Sequence, residues 1–254
     1  MIISVAQAQL FLLALTRILA IIVQIPVLGG SLIPTQVRIA FGIVLAVVIT
    51  PWTVQLPATA TELPLLGLVS ALFNELIIGI LAGFAASLTF NALQIAGEMI
   101  TQSSGFGSGR VLNPLLEQSG SALDQFFVYI AILIFMTING HHTVIMAIQR
   151  TFAVLPINQP LPDFTANRML MLVGQMIATG IQIALPVVAA LLLADITLGL
   201  LARVSPQIQV FFLGLPLKIG LALIAVGLVF VVAMPVFEDL FNNLGERMLR
   251  LLGA

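Results

Sequence analysis

TQSSGFGSGRVLNPLLEQSG, residues 101–120, interrupts a chain otherwise made of membrane-grade apolar sequence. The stretch holds four glycines and two charges, Arg110 and Glu117, while Leu, Ile, Val, Ala, Phe and Met dominate both flanks. Irregular backbone among hydrophobic helices leaves amides and carbonyls without water. It persists only where it is buried in protein or lines a water path. The contrast predicts an all-α, polytopic membrane-type protein of bent or broken helices and helical hairpins. It also predicts that 101–120 is where a conduit would place its gate. A plain solvent loop fits less well, because Phe106, Val111, Leu112, Leu115 and Leu116 carry apolar area that such a loop has no reason to hold.

Composition agrees. Of 254 residues 60% are hydrophobic and 7% charged, with mean hydropathy +1.19. Soluble domains carry about 25% charged residues, so too few polar side chains exist here to coat a soluble globule. The net charge of −1 gives no reason to expect nucleic acid. Cysteine is absent, which excludes disulfides and thiolate chemistry. The first apolar stretch carries Arg17 and lacks a basic leading region, so it reads as a retained helix and not a cleaved signal.

A hydrocarbon core about 30 Å thick needs roughly 20 apolar residues of helix. Leu10–Leu28, Ile39–Trp52 and Leu63–Ile100 meet or approach this. Leu123–Ile138 and Thr143–Leu155 follow, separated by Asn139–His142. Met169–Ala202 is too long for one upright span, and Ile208–Phe237 precedes a short amphipathic tail. Pro26, Pro34, Pro51, Pro186, Pro216 and Pro235 fall inside or at the ends of these stretches, which predicts bent helices or hairpins of half-helices. Alternate numbering puts Arg38, Arg110 and Arg203 on one side and Arg150, Arg168, Arg247 and Arg250 on the other. That balance sets no orientation.

Charges inside apolar stretches are expensive and should face protein or water. Arg17, Glu75, Glu98, Asp195 and Lys218 are the candidates, and Arg203, just past the end of one stretch, joins them as a sixth polar contact. Glu75, Gly79 and Gly83 recur every four residues and share one helix face, as do Gln94 and Glu98. A channel lining, ion pairs between subunits and an internal ion pair all remain open for them. Gly79 and Gly83 form GxxxG, a groove for close helix packing. His141 and His142 are adjacent, hence about 100° apart on a helix, and do not make a metal face. Asn139–His142 reads as a polar turn or cap. No GxxxxGK[ST] is present and Lys218 is the sole lysine, so no nucleotide site is expected. The glycine spacing around Ser108 does not match a serine-protease elbow, and His141 is the nearest downstream base. No catalytic, cofactor-binding or metal residue is assigned.

The chain resembles the FliR/SctT family of type III secretion export-gate subunits. The resemblance rests on Leu15-Thr16-Arg17, Pro26, Pro34, Arg38 and Gly42. It continues through NELIIGILAGF (74–84), Ala96-Gly97-Glu98, Asn113-Pro114, Phe135, Asn139-Gly140-His141 and Leu155-Pro156. Its most specific block is ALPVVAALLLADITLGLLARVSPQIQVFFLGLPLKIGLAL (184–223). Two local departures are Asp195, where the family also carries asparagine, and the basic Arg110.

The resemblance implies a non-enzymatic core subunit of a flagellar protein export gate, within a helical hetero-oligomer. Residues 1–157 would be a part like the P-type subunit, with a pore-plug loop at 101–120. Residues 158–254 would be a helical hairpin part like the Q-type subunit, beginning near Phe164. The plug would comprise Ser104, Gly105, Phe106, Gly107, Ser108, Gly109, Arg110, Val111, Leu112, Asn113 and Pro114. The six charged residues above would face neighbouring subunits. Implied partners are P-type and Q-type subunits (FliP, FliQ), an FlhB-type switch protein, an FlhA-type export protein, unfolded flagellar cargo and membrane lipid. The implied place is the bacterial inner membrane, in the flagellar basal body, with helices raised toward the periplasm. Alternatives are the injectisome counterpart and, in a different class, a small-molecule secondary transporter with broken helices around a midplane site.

Overall fold

The computed structural model describes residues 4–30, 33–53, 62–106, 122–159, 166–207 and 209–253. Among these only helices, turns and bends occur. The helices are α1 (Val5–Gln24), α2 (Pro26–Gly29), α3 (Thr35–Thr53), α4 (Leu65–Ser104) and α5 (Ala122–Thr137). They continue with α6 (Gly140–Val154), α7 (Ala166–Val204), α8 (Val210–Val232), α9 (Met234–Asn242) and α10 (Leu244–Leu251). Four of these segments are long and apolar enough to cross a membrane, and five if the bent pair α5–α6 counts as one broken span.

The prolines act less uniformly than their sequence positions suggest. Pro26 opens α2 and Pro34 precedes α3. Pro186 and Pro216, by contrast, lie inside α7 and α8, which run on through them. A proline deletes one intrahelical bond and kinks the axis. Ending the helix in apolar surroundings would orphan several backbone groups and cost more. A sharp bend also lies where there is no proline: α5 and α6 meet at 75°. Asn139 there adopts φ +57°, a left-handed conformation that asparagine tolerates. A Cβ at the next residue, Gly140, would strike the Phe135 ring.

Helices α4 and α7 hold 40 and 39 residues, so each is about 60 Å long. That is roughly twice a hydrocarbon core, and tilts of up to about 40° do not absorb the excess.

The chain packs as two compact units, each assembled from separated stretches. The first takes Met1–Thr89, Phe135–Val173 and Phe241–Ala254; the second takes Phe90–Ile134 and Gly174–Leu240. In the first unit, α1 begins with a capping box. The Ser4 hydroxyl accepts from the Gln7 amide at 3.2 Å, and the Gln7 side chain accepts from the Ser4 amide at 3.1 Å. Gly79 and Gly83 bring α4 against α1. A Cβ at Gly79 would lie 2.6 Å from Ala20 Cβ, and one at Gly83 would lie 3.0 Å from the Ile21 carbonyl oxygen. The Gln9 amide exchanges two hydrogen bonds with the Leu63 backbone, at 3.0 and 3.1 Å. Arg38 donates to the carbonyls of Gly30 and Ile33 and so closes the turn before α3. The amphipathic α10 buries Leu244, Met248 and Leu251, and Phe241 packs edge-on to Phe135.

The second unit is a bundle of α4, α5, α7, α8 and α9 segments. Gly180 of α7 abuts the Ala92 carbonyl of α4. Phe126, Phe127, Phe230 and Phe237 form a ring cluster with centroid spacings of 5.3 to 6.5 Å. Much of α8 stays uncovered: Leu223, Ile224, Leu228, Val231 and Val232 are exposed. Such a surface suits lipid or another apolar chain, not water.

Candidate functional site

The glycine-rich stretch begins as helix. Thr101–Ser104 are the last turn of α4, and the break starts at Gly105-Phe106. Gly105 has φ +85°, the left-handed conformation in which glycine ends helices. Ser104 is fully buried. Its hydroxyl donates to the Thr101 carbonyl at 3.1 Å and accepts weakly from the Phe106 amide at 3.5 Å. That hydroxyl is therefore committed to backbone, which argues against Ser104 as a nucleophile. Gly107, Ser108, Gly109, Arg110, Val111, Leu112, Asn113 and Pro114 lie outside the described residues.

The foot of the stretch is tied. Thr101 donates its hydroxyl to Asp124 Oδ1 of α5 at 2.6 Å. One turn further along each helix, Phe127 sits on Gly97, whose Cβ, if built, would lie 2.8 Å from the ring. Leu215 of α8 closes over Gly105. Sequence reasoning missed Asp124. Ser121-x-x-Asp124 before an apolar run is a capping-box pattern and marks the helix start, but nothing in it names Thr101 as the partner.

The six charged candidates fall into three situations. Arg17 and Glu75 meet inside the first unit, with Nε to Oε2 at 2.5 Å and neither side chain exposed. Arg17 Nη1 also donates to the carbonyls of Thr151 (3.1 Å) and Leu155 (2.6 Å), and its guanidinium lies 4.5 Å from the Phe152 ring centroid. Glu75 Oε1 accepts from the Asn158 amide at 3.1 Å. Of this pair's charged atoms, Arg17 Nη2 is buried without a partner among the described residues. The pair stands as an internal ion pair that joins α1, α4 and the end of α6. In the second unit, Lys218 of α8 reaches both oxygens of Asp195 of α7, at 2.8 and 2.9 Å. Its carboxylate remains 48% exposed. Glu98 and Arg203 are exposed and unpaired among the described residues. Gln94 is exposed on the same face of α4 as Glu98.

The rings of His141 and His142 lie 4.4 Å apart, tilted 60° to one another, in the first turn of α6. Among the described residues no group of three or more side chains is placed to hold a metal. Asn139–His142 is the turn and helix start that the sequence predicts.

The model of one protein family, described as bacterial export proteins, family 1, matches residues 8–244. The chain belongs to that family. Its match takes in the buried pair, the glycine-rich stretch with Asp124, and the Asp195–Lys218 pair, and it leaves out most of α10. Among family members, the flagellar biosynthetic protein FliR of Bacillus subtilis (strain 168) is 31% identical over 246 residues, 95% of this chain and 94% of that protein. The FliR protein of Aquifex aeolicus (strain VF5) is 32% identical over 91% of this chain and 88% of its own length. The Yop proteins translocation protein T of Yersinia pestis is 27% identical over 84% and 82%. The all-α, membrane-type reading of the sequence is shared by the structure.

Proposed function

We propose that this chain is a core subunit of the flagellar type III protein export gate in the bacterial inner membrane. It forms part of the secretion channel, and residues 104–114 supply the plug of the closed pore. The observation that carries this reading is the near full-length similarity to flagellar biosynthetic FliR proteins. The tied foot of the glycine-rich stretch supports the plug. Glycines pack closely in a narrow lumen, and Phe106 with the following leucines excludes water. The subunit is not an enzyme. Its partners are P-type and Q-type subunits, an FlhB-type and an FlhA-type protein, and unfolded flagellar cargo. Residues 1–157 correspond to a P-like part and 158–254 to a Q-like hairpin. This is a division of the sequence, and each packing unit draws on both portions. The lengths of α4 and α7 accord with helices raised toward the periplasm.

Deleting Gly105–Gly109, or placing aspartate at Gly107, is expected to leak ions through resting membranes while the complex still assembles. Unchanged ion permeability in an assembled complex counts against the plug. The Yersinia relative supports the injectisome counterpart as the second reading. Restored motility in a flagellar strain lacking its own subunit, and none of the injectisome's secretion, separates the two.

A further inference from the structure

Four helical threonines in this chain satisfy their hydroxyls locally, while Thr50 of α3 is buried without a partner among the described residues. Thr16, Thr151, Thr179 and Thr197 each donate to a carbonyl three or four residues earlier in their own helix. Thr101, fully buried in the last turn of α4, has the same option and does not take it. Its hydroxyl turns across to Asp124 in the first turn of α5 at 2.6 Å, the ordinary length of a hydroxyl-to-carboxylate bond. Burial alone therefore does not explain the carboxylate.

The neighbouring contacts share the seam. Stepping back four residues from Thr101 gives Gly97, and stepping forward three from Asp124 gives Phe127, so the two helices run antiparallel here. Phe127 seats against Gly97 and lies 5.3 Å from the ring of Phe230 on α8. The ring contact is apolar and non-directional, and it leaves the helices free to slide or splay. The hydrogen bond is directional, and in apolar surroundings it is costly to break. It sits at the rim, between the two helix ends that bracket the glycine-rich stretch.

We propose that Thr101 and Asp124 are positioning residues whose hydrogen bond fixes the separation of these helix ends and thereby holds the resting seal. The geometry stands alone, and the consequence for sealing rests on the plug reading above.

The chain has no cysteine, so Gln102→Cys and Gln125→Cys, both at exposed positions, admit spin labels in the assembled complex. With the native pair a single narrow distance is expected. Thr101→Val keeps the shape and removes the donor. It is expected to raise the population with separated ends roughly tenfold, the scale of one buried hydrogen bond, and to raise resting ion permeability. Asp124→Ala should match it, and the double variant should be no worse than either single. Thr101→Ser should restore both readouts, which a purely packing role of the threonine methyl would not allow. An unchanged distance in Thr101→Val overturns the proposal. So does a widened distance without leak in a complex where deletion of Gly105–Gly109 does leak. If that deletion does not leak either, the plug reading fails, and the clamp is judged on the distance alone.

Discussion

Arg17–Glu75 and Asp195–Lys218 are both ion pairs between apolar helices, at 2.5 and 2.8 Å, but their surroundings differ. Around the first pair, two backbone carbonyls, one backbone amide and an aromatic face replace nearly all the water the charges gave up. Among the described residues the second pair has only itself, and about half of the Asp195 side chain faces outward near exposed Leu192 and Ile196. A charge whose hydration is replaced within the chain is part of the fold. A charge left half-dressed on an apolar helix draws the rest of its solvation from outside.

The largest effect should come from breaking the enclosed pair. Arg17→Met or Glu75→Leu leaves a buried charge uncompensated, a loss of about 3–5 kcal/mol. The double variant should recover most of that, because no orphan charge remains. Thermal unfolding in detergent reads all three proteins. Additive losses in the double variant would mean that the pair does not act as a unit.

How this pair was legible in sequence, and how far, follows from helix periodicity. The four-residue recurrence of Glu75, Gly79 and Gly83 correctly marked one face, and that face is the one packed on α1. The cost of charge in apolar sequence drew attention to Arg17, Glu75, Asp195 and Lys218, which the structure places in two ion pairs. Nothing local says that residue 17 finds residue 75, or that Thr101 finds Asp124, because partner choice is set by how distant segments pack. The turn at Asn139–His142 was legible, but its 75° angle was not, for a related reason. It depends on one asparagine holding a left-handed turn beside Phe135 and Gly140. Proline positions suggested bends elsewhere, yet α7 and α8 absorb theirs without ending.

A smaller effect is expected at the open pair. Lys218→Met isolates Asp195, but exposure limits the loss to no more than ~2.5 kcal/mol in the purified chain. If neighbours complete this site, co-purification with partner subunits should fall further than the stability of the chain alone. Equal losses in the two measurements would assign the pair to this chain only.

Glycines sharpen the same contrast, with effects that range down to the smallest. A methyl at Gly79 would meet Ala20 Cβ at 2.6 Å and the Arg17 carbonyl oxygen at 2.7 Å, so Gly79→Ala pushes α1 off α4 and should cost about 1–3 kcal/mol. Because it moves the backbone of Arg17 itself, its cost should not add to that of Glu75→Leu. Gly220 on α8 has nothing within 4 Å of a built Cβ. Within the chain, Gly220→Ala removes only backbone entropy of the unfolded state and should stabilise by about 0.5–1 kcal/mol. A neighbouring helix packed against this notch would meet the new methyl and reverse the sign in the assembled particle. Stabilisation of the isolated chain together with weaker assembly marks the outer face of α8 as covered. Stabilisation in both leaves it to lipid.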